Sequence, residues 1–350
     1  MPPSPTSGNF TPALLQKVIA KMDSIWKDNQ TVNDYVAEVE VLRAIRAEQT
    51  ATLREIENPE KDKVLKIIWV ADCNTGVVDC EDGEDDQFCD WTGPQAEARS
   101  KDYALDECQT VAFTIEESVF YTSELNQEEV LAKQFMARMK ELEEAMARKT
   151  VAKLNSFAGV NQYTGGIGVV DDVVTYIAPN YWTPDMYGYF SLVARKNKLN
   201  NPFLIHGSNL YMQNWNAPYI AANANTKDGE PKLRSIRSYW DIFNIDEVNE
   251  GIKRSYMIAK GAVALANKAR YPKNSPRVYQ FGKRWSIQSN SLPGVWFDVF
   301  YKERCGNDEQ VFYDFKMRAK YGVYLNPFGC NEDVTGVLLF DCGTGPVESN

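Results

Sequence analysis

The stretch VLAKQFMARMKELEEAMARKTVAKLNS, residues 130–156, decides the fold, because it contains neither glycine nor proline over about seven helical turns. Asn126 and Glu129 stand before it at the spacing of a capping pair. We predict one helix on the order of 45 Å long, packed by a single face against a long sheet. A coiled coil is the alternative, and the absence of a sustained heptad disfavours it. The predicted apolar stripe is Leu131, Phe135, Met139, Leu142, Met146 and Leu154.

Five segments have the composition or alternation of strands. They are residues 63–71, 110–121, 286–289, 295–303 and 311–323. The last alternates apolar and polar side chains over thirteen residues, so it is long enough to match the predicted helix. Between the first two lie about forty residues without a regular pattern. A connection of that length is usually functional or an excursion that packs elsewhere.

Shorter helices are predicted on both sides of this region. Two of them, starting at Thr11 and at Thr31, carry apolar stripes that need either the body of this chain or a neighbour to cover them. Two more are expected from Thr183 to about Leu199 and over 255–268. The glycines of 165–168 predict a turn after the long helix, since they lack the pattern of a dinucleotide loop.

The length and charge of the chain restrict the classes of function to which it can belong. A chain of 350 residues is expected to form two lobes, or one lobe with large excursions. The formal charge of −10 argues against a protein whose main role is to bind the phosphates of nucleic acids. No segment approaches the apolar length of a membrane span. The first ten residues, MPPSPTSGNF, predict a flexible arm and not a signal peptide, which favours cytosolic synthesis.

Residues 72–91 are the obvious place to look for a chemical site, because they combine three cysteines with many acids. Their spacing matches neither a familiar zinc site nor a calcium loop. A metal or disulfide among Cys73, Cys80, Cys89 and Cys108 stays open, and a solvated acidic loop is favoured. The single histidine, His206, lies in an apolar run that predicts a packed side chain. We therefore predict no catalytic, cofactor-binding or metal-binding residue.

Several aromatic residues lie among Asn- and Pro-rich turns, where large amphipathic side chains serve either as contact surfaces or as core. Their number favours contact surfaces. They are Tyr181, Trp182, Tyr211, Trp215, Tyr219, Tyr239, Trp240 and Trp285.

Five phrases carry a family resemblance: VAKLNSFAGVNQYTGGIGVV (151–170), NPFLIHGSNLYMQNWNA (201–217), WDIFNIDEVN (240–249), LPGVWFDVFYKERC (292–305) and DFKMRAKYGVYLNPFGC (314–330). With the order of the predicted elements, they resemble the major capsid proteins of tailed bacteriophages with the Hong Kong 97-type fold. The likeness is greatest to crAss-like and related phages of Bacteroidetes hosts. It covers nearly the whole chain after about residue 60.

The resemblance implies an α+β fold with an N-terminal arm, an extended loop, a spine helix, and peripheral and axial domains. By analogy, residues 1–62 would form the arm and 63–118 the extended loop lying across an adjacent subunit. Residues 119–170 and 281–350, with the spine helix at 127–156, would form the peripheral domain. Residues 171–280 would form the axial domain.

The implied function is an icosahedral shell built from hexameric and pentameric capsomers of this chain around double-stranded DNA. Implied partners are scaffolding, portal and decoration proteins, with only loose contact to DNA and no membrane. The protein would be assembled in the bacterial cytoplasm and reside in the virion. An acidic inner face would repel the packaged phosphates. With about sixty residues before the first strand, no large fused scaffold is expected, and covalent crosslinking is not predictable.

Other readings come from different classes. A tail or head-decoration protein would also be acidic and self-associating, but such proteins are usually dominated by strands. A metal-dependent enzyme would use the cysteines and acids of 72–91. A soluble binding module would be a stable monomer.

Overall fold

The computed structural model describes ten segments of the chain. They are residues 10–28, 35–49, 63–71, 97–122, 126–163, 166–183, 186–208, 236–306, 310–326 and 335–343. Within them the helices are α1 (Pro12–Asp28), α2 (Glu40–Glu48), α3 (Ser118–Thr122), α4 (Gln127–Ser156), α5 (Met186–Lys196) and α6 (Ile242–Val248). A short 3-10 helix spans Pro179–Tyr181.

The strands of the described segments fall into three sheets. In chain order they are β1 (Lys63–Ala71), β2 (Glu97–Ala104), β3 (Glu107–Glu116), β4 (Gly168–Asp171), β5 (Val174–Ile177), β6 (Phe203–His206), β7 (Arg237–Trp240), β8 (Arg254–Ile258), β9 (Val263–Asn267), β10 (Arg277–Tyr279), β11 (Gly282–Gln288), β12 (Trp296–Cys305), β13 (Val311–Leu325) and β14 (Val337–Cys342).

Strand β13 organises the first large sheet, called here the long sheet. Its order is β10-β11-β12-β13-β3, and β9 pairs with the final residues of β13. The second sheet has the order β4-β5-β14-β8-β6-β7. The third contains β1 and β2 alone, paired antiparallel. The predicted strands at 63–71, 286–289, 295–303 and 311–323 are confirmed, and β12 and β13 pair antiparallel.

The long helix α4 lies between α1 and the long sheet, and its predicted stripe is fully buried. Phe135 sits at the centre of this contact, with ring centroids 5.5 Å from Phe113 on β3 and 5.3 Å from Phe315 on β13. The buried face is wider than predicted, because Met136 and Val151 are also covered. A helix covered on two sides needs more than one narrow stripe.

The start of α4 differs in detail from the prediction. Asn126 occupies the N-cap position, but its side chain makes no capping hydrogen bond. Glu129 pairs instead with Lys133 at 3.2 Å and with Lys21 of α1 at 3.6 Å. The acids of this first turn therefore attach α1 to the helix and do not close a capping box.

The two N-terminal helices are covered by this chain itself. Leu15, Val18 and Met22 of α1 are buried in the same core as α4. The second helix begins at Glu40, so Tyr35 precedes it, and Thr31 lies outside the described residues. Helix α2 packs against α4, β7 and β9. The sequence left open whether this chain or a neighbour covers the apolar stripes of these helices, and the structure shows that this chain covers them.

Two sequence predictions are wrong. Residues 255–268 form β8 and β9 and not a helix, because Gly261 reverses the chain at φ +76° and both runs are buried through strand pairing. The strand predicted at 110–121 ends at Glu116, after which α3 takes up Val119 and Tyr121. Strand β2 was not predicted, since its sequence, EARSKDYA, is polar.

Strand pairing crosses the domain boundaries implied by the resemblance in three places. Strand β3, placed in the extended loop 63–118, pairs along β13 in the long sheet. Strand β9, placed in the axial segment 171–280, also joins β13. Strand β14, placed in the peripheral segment 281–350, pairs with β5 and β8 in the second sheet. In each case the strand completes backbone hydrogen bonds that the predicted boundary would leave open.

The α+β class is confirmed, as is the order of parts expected of the Hong Kong 97-type fold. N-terminal helices are followed by a two-stranded excursion, one long helix, a mixed region and long returning strands.

A buried polar network joins the end of α4 to the second sheet. Arg254 on β8 donates from Nε and Nη2 to the two carboxylate oxygens of Asp341 on β14, both at 2.6 Å. The same guanidinium donates to Asn155 Oδ1 at 3.0 Å, which also accepts from Tyr256 at 2.7 Å. Because a bidentate charged pair has a fixed geometry, it sets the position of the second sheet relative to the helix.

Replacing Phe135 by Ala tests the central packing. We expect a loss of about 3–5 kcal/mol in the free energy of unfolding, since the ring is fully buried among Phe113 and Phe315. Urea unfolding measures it. The control Lys149→Ala, on the exposed face of the same helix, should change stability by less than about 0.5 kcal/mol. Equal effects of the two substitutions would contradict the packing.

Candidate functional site

The described residues offer little for covalent or metal chemistry. Among them, no group of three or more His, Cys, Asp or Glu side chains is arranged to hold a metal ion. Cys108, Cys305 and Cys342 form no disulfide with one another in the described part of the chain. The segment 72–91, with its other three cysteines, lies outside the described residues, so the open question of its bonding stays open.

His206 is a packed side chain, as predicted. It is fully buried on β6, and its Nδ1 lies 2.7 Å from Ser255 Oγ on the neighbouring strand β8. The ring lies 5.3 Å from that of Trp240. Burial lowers the pKa of His206 to about 3, so the imidazole stays neutral at physiological pH.

Glu143 is a buried carboxyl that the sequence analysis did not single out. It lies on α4 and accepts hydrogen bonds from the hydroxyls of Ser289, at 2.5 Å, and of Ser291, in the turn between β11 and β12. Burial raises its pKa to about 7, against the two serine hydrogen bonds and the charge of Arg43, which lower it. This contact pins the long helix to the β11–β12 turn.

Strands β1 and β2 form a ribbon that meets the rest of the chain at one end. Tyr103 donates to the Leu325 carbonyl at 2.9 Å, and Tyr324 donates to the Ala104 carbonyl at 2.5 Å. In the described residues the ribbon pairs with no third strand. An isolated two-stranded ribbon is marginally stable in water, so this element needs another surface to lie on.

The face of the long sheet that points away from α4 is cationic and aromatic. One row of paired residues crosses four strands through Arg284, Phe300, Lys316 and Ala112. The Arg284 guanidinium lies 5.4 Å from the Phe300 ring centroid, and that of Arg318 lies 5.0 Å from it. These distances are those of cation–π contacts.

A groove of about 510 Å³ follows this face, and we call it the sheet groove. Five cations line it against one acid, Asp314. One of the five, Lys283, turns to the opposite face, where its Nζ donates to the Phe10 carbonyl at 2.7 Å. The remaining four, of which Arg318 is paired with the buried Asp298 at 2.7 Å, give the groove a positive surface in an acidic protein. They are Arg284, Lys302, Lys316 and Arg318.

The turn between β10 and β11 carries an exposed aromatic side chain, Phe281, which is 75% exposed. Val278 of β10 is 70% exposed, but it pairs with Lys283 and therefore lies on the opposite face of the sheet. Gly282 completes the turn at φ +121°, where an added Cβ would lie 2.0 Å from the Tyr301 carbonyl oxygen. This turn therefore requires glycine, and it presents Phe281 beside the sheet groove.

The aromatic residues singled out from the sequence fall mostly into the interior. Trp285 is fully buried, and Trp182 is buried with its Nε1 donating to the Ile177 carbonyl at 3.0 Å. Tyr181 is 44% exposed, and Tyr239 and Trp240 are half-buried. The other three lie outside the described residues. Contact surface was the wrong interpretation for Trp182 and Trp285. Trp182 directly follows the 3-10 helix and is buried there, and β11 turns Trp285 inward.

Comparisons with known proteins return structural likeness at low sequence identity. The capsid structure of cyanophage P-SCSP1u is 11% identical, with 85% of this chain and 86% of that chain covered and a TM-score of 0.46. The capsid of Ralstonia phage GP4 is 8% identical, with 86% and 88% covered and a TM-score of 0.45. A structure from Mycobacterium phage Che8 is 12% identical, with 84% and 92% covered and a TM-score of 0.45. No protein-family model and no curated protein matches the chain.

None of the helices in the described part of the chain combines the length and the apolar character needed to cross a membrane.

Glu143→Gln should remove the part of the pH dependence of stability that the Glu143 carboxyl causes. Below pH 4.5 the wild-type carboxyl is protonated in both the folded and the unfolded chain, so it is already neutral when folding buries it. As the pH rises towards 7 the unfolded chain loses this proton first. The free energy of unfolding should therefore fall by on the order of 3 kcal/mol. Glutamine keeps contacts to both serines and carries no charge, so this fall should vanish.

Urea unfolding at about pH 5 and about pH 8 measures the difference between the two chains. Glu144→Gln, on the adjacent residue, is the matched control and should retain the wild-type pH dependence. Identical pH dependence of the wild type and Glu143→Gln would refute the assignment.

Proposed function

We propose that this chain is the major capsid protein of a tailed bacteriophage, akin to those of crAss-like and related phages of Bacteroidetes hosts. It would be a structural protein of the virion without catalytic activity. The observation that carries the proposal is the combination of a plate, α4 packed on the long sheet, with a β1–β2 ribbon that pairs with no third strand among the described residues. Such a subunit suits a thin shell in which each copy covers part of the next.

The strand pairing supports an assignment of domain roles. The peripheral domain would be α4 with the long sheet, including β3 and β9. The axial domain would be the second sheet with α5 and α6, including β14. The extended loop would be the β1–β2 ribbon with the residues that connect it. The arm would be the N-terminal segment that ends where α1 joins the core.

In this proposal the copies form hexameric and pentameric capsomers, and these close into an icosahedral head around double-stranded DNA. Assembly takes place in the cytoplasm of the bacterial host, with scaffolding, portal and decoration proteins of the same phage as partners. The net charge of −10 supports only loose contact with DNA, since an acidic inner face repels phosphate.

The alternative functions predict different features of the molecule. A tail or head-decoration protein would need no 30-residue helix spanning a plate. A metal-dependent enzyme would rely on the cysteines and acids of 72–91, and alanine substitution there would abolish an activity while leaving particles intact.

Expression of the full chain in a cytosolic host tests the proposal. We expect hexamers, pentamers, tubes or closed shells by light scattering and negative-stain electron microscopy. A chain that stays monomeric at high concentration, also with phage lysate proteins added, would contradict it.

Phe281→Ser probes the contribution of an exposed tip to this assembly. Because the ring is 75% exposed, stability in urea should change by less than about 0.5 kcal/mol. The yield of particles should fall, since an exposed aromatic tip gains its stabilisation only when a neighbour buries it. Leu192→Ser, at a residue 42% exposed on α5, is the control outside the long sheet. Particle yields unaffected by Phe281→Ser would exclude this tip from the contacts.

A further inference from the structure

We propose that the sheet groove binds the acidic segment 79–91 of a second copy of this chain. The inference rests on the proposed function, and it names the chemistry and the residues of one contact between copies.

The first argument is charge complementarity. Residues 79–91, DCEDGEDDQFCDW, contain seven acids and no lysine or arginine. The sheet groove is lined by Arg284, Lys302, Lys316 and Arg318 against Asp314. Opposite potentials on two surfaces steer their encounter and disfavour wrong partners.

The second argument is the availability of the groove's charges. Lys316 makes no ion pair with any described residue, and its side chain lies in the middle of the four-strand row. Lys302 is 63% exposed and lies 3.7 Å from Asp314, which Arg304 already contacts at 3.1 Å. The Lys316 amine is thus available to carboxylates from outside, whereas Lys302 shares Asp314 with Arg304.

The third argument is the aromatic content of both partners. The groove has Phe300 in its floor and Phe281 at its edge. The acidic segment carries Phe88 and Trp91 beside its acids. Apolar anchors flanked by charge pairs are the usual composition of a specific protein contact.

The position of the ribbon favours a second copy over the same chain. Residues 72–96 connect Ala71 to Glu97, at the end of the ribbon opposite to the one at Ala104 that contacts β13. The attached end of the ribbon lies at Tyr324, about ten residues along β13 from Asp314, or roughly 33 Å. The ribbon thus leaves the body at the end of β13 opposite to the groove.

A charge exchange in the full chain tests the contact. Lys302→Glu with Lys316→Glu should lower the yield of particles at least about tenfold at low salt, and so should Asp85→Lys with Asp86→Lys. The four substitutions combined should restore assembly. Lys253→Glu with Lys260→Glu, at exposed residues bordering β8, changes the charge equally and should leave the yield unaltered.

Crosslinking identifies the copies involved. In the Lys316→Cys chain, assembled from a mixture of isotopically light and heavy protein, a short bismaleimide should join residue 316 to Cys89 in mixed light–heavy peptides. Crosslinks confined to light–light and heavy–heavy peptides would place the segment on its own chain and overturn the proposal.

The remaining outcomes are distinguishable. If the unaltered chain forms no particles, the proposed function fails and this contact fails with it. If the unaltered chain assembles and the groove variant assembles equally well, only the groove contact is overturned. If the groove variant assembles normally but loses retention of duplex DNA, the groove serves phosphates and not the acidic segment, which also overturns the proposal.

Discussion

The burial of one face of α4 against the long sheet is the contact on which the rest of the molecule depends. A 30-residue helix with charged outer faces cannot be stable as a rod in isolation, and its stability comes from packing. Each large apolar side chain buried there contributes about 1.5–3 kcal/mol. Strand β13 supplies the matching surface, since its 15 residues turn alternate side chains towards the helix. The length of the helix and the length of this strand therefore constrain each other.

Polar contacts then fix the position of α4 along the sheets, which the apolar face alone does not determine. An apolar stripe can slide, but Arg254 with Asp341 and Asn155 holds the end of the helix in one position against the second sheet. Glu143 does the same near the middle, through the serines of the β11–β12 turn. Because an unpaired buried polar group is costly, each of these contacts makes an alternative position unfavourable. The result is a plate in which the helix and both sheets hold fixed positions.

The sequence allowed prediction of the elements whose pattern is periodic and exposed on one side. The alternation of β13 and the stripe of α4 belong to this kind, and both are as predicted. Strands β8 and β9 were misread as a helix because they are buried on both faces, and a continuous apolar run does not distinguish the two structures. The polar ribbon strand β2 gave no signal of its own.

The surface of the proposed contact was less predictable. The sheet groove joins residues from β3, β11, β12 and β13, which lie up to about two hundred residues apart, so its charge appears only when the register of four strands is known. Glu143 looked like one of many charges on a helix, since burial depends on a turn near residue 290. By contrast, His206 was predictable because its neighbours in sequence are themselves apolar.

Hydrogen exchange read by mass spectrometry, on unassembled subunits and on assembled particles, tests the central claim most directly. That claim is a self-supporting plate with a ribbon stabilised only by a neighbour. The account predicts slow exchange at α4 and β13 in both states. It predicts that amides of β1 and β2 exchange fast in the subunit and slowly in the particle. Equal protection of the ribbon in both states, or fast exchange of α4 in the isolated subunit, would contradict it.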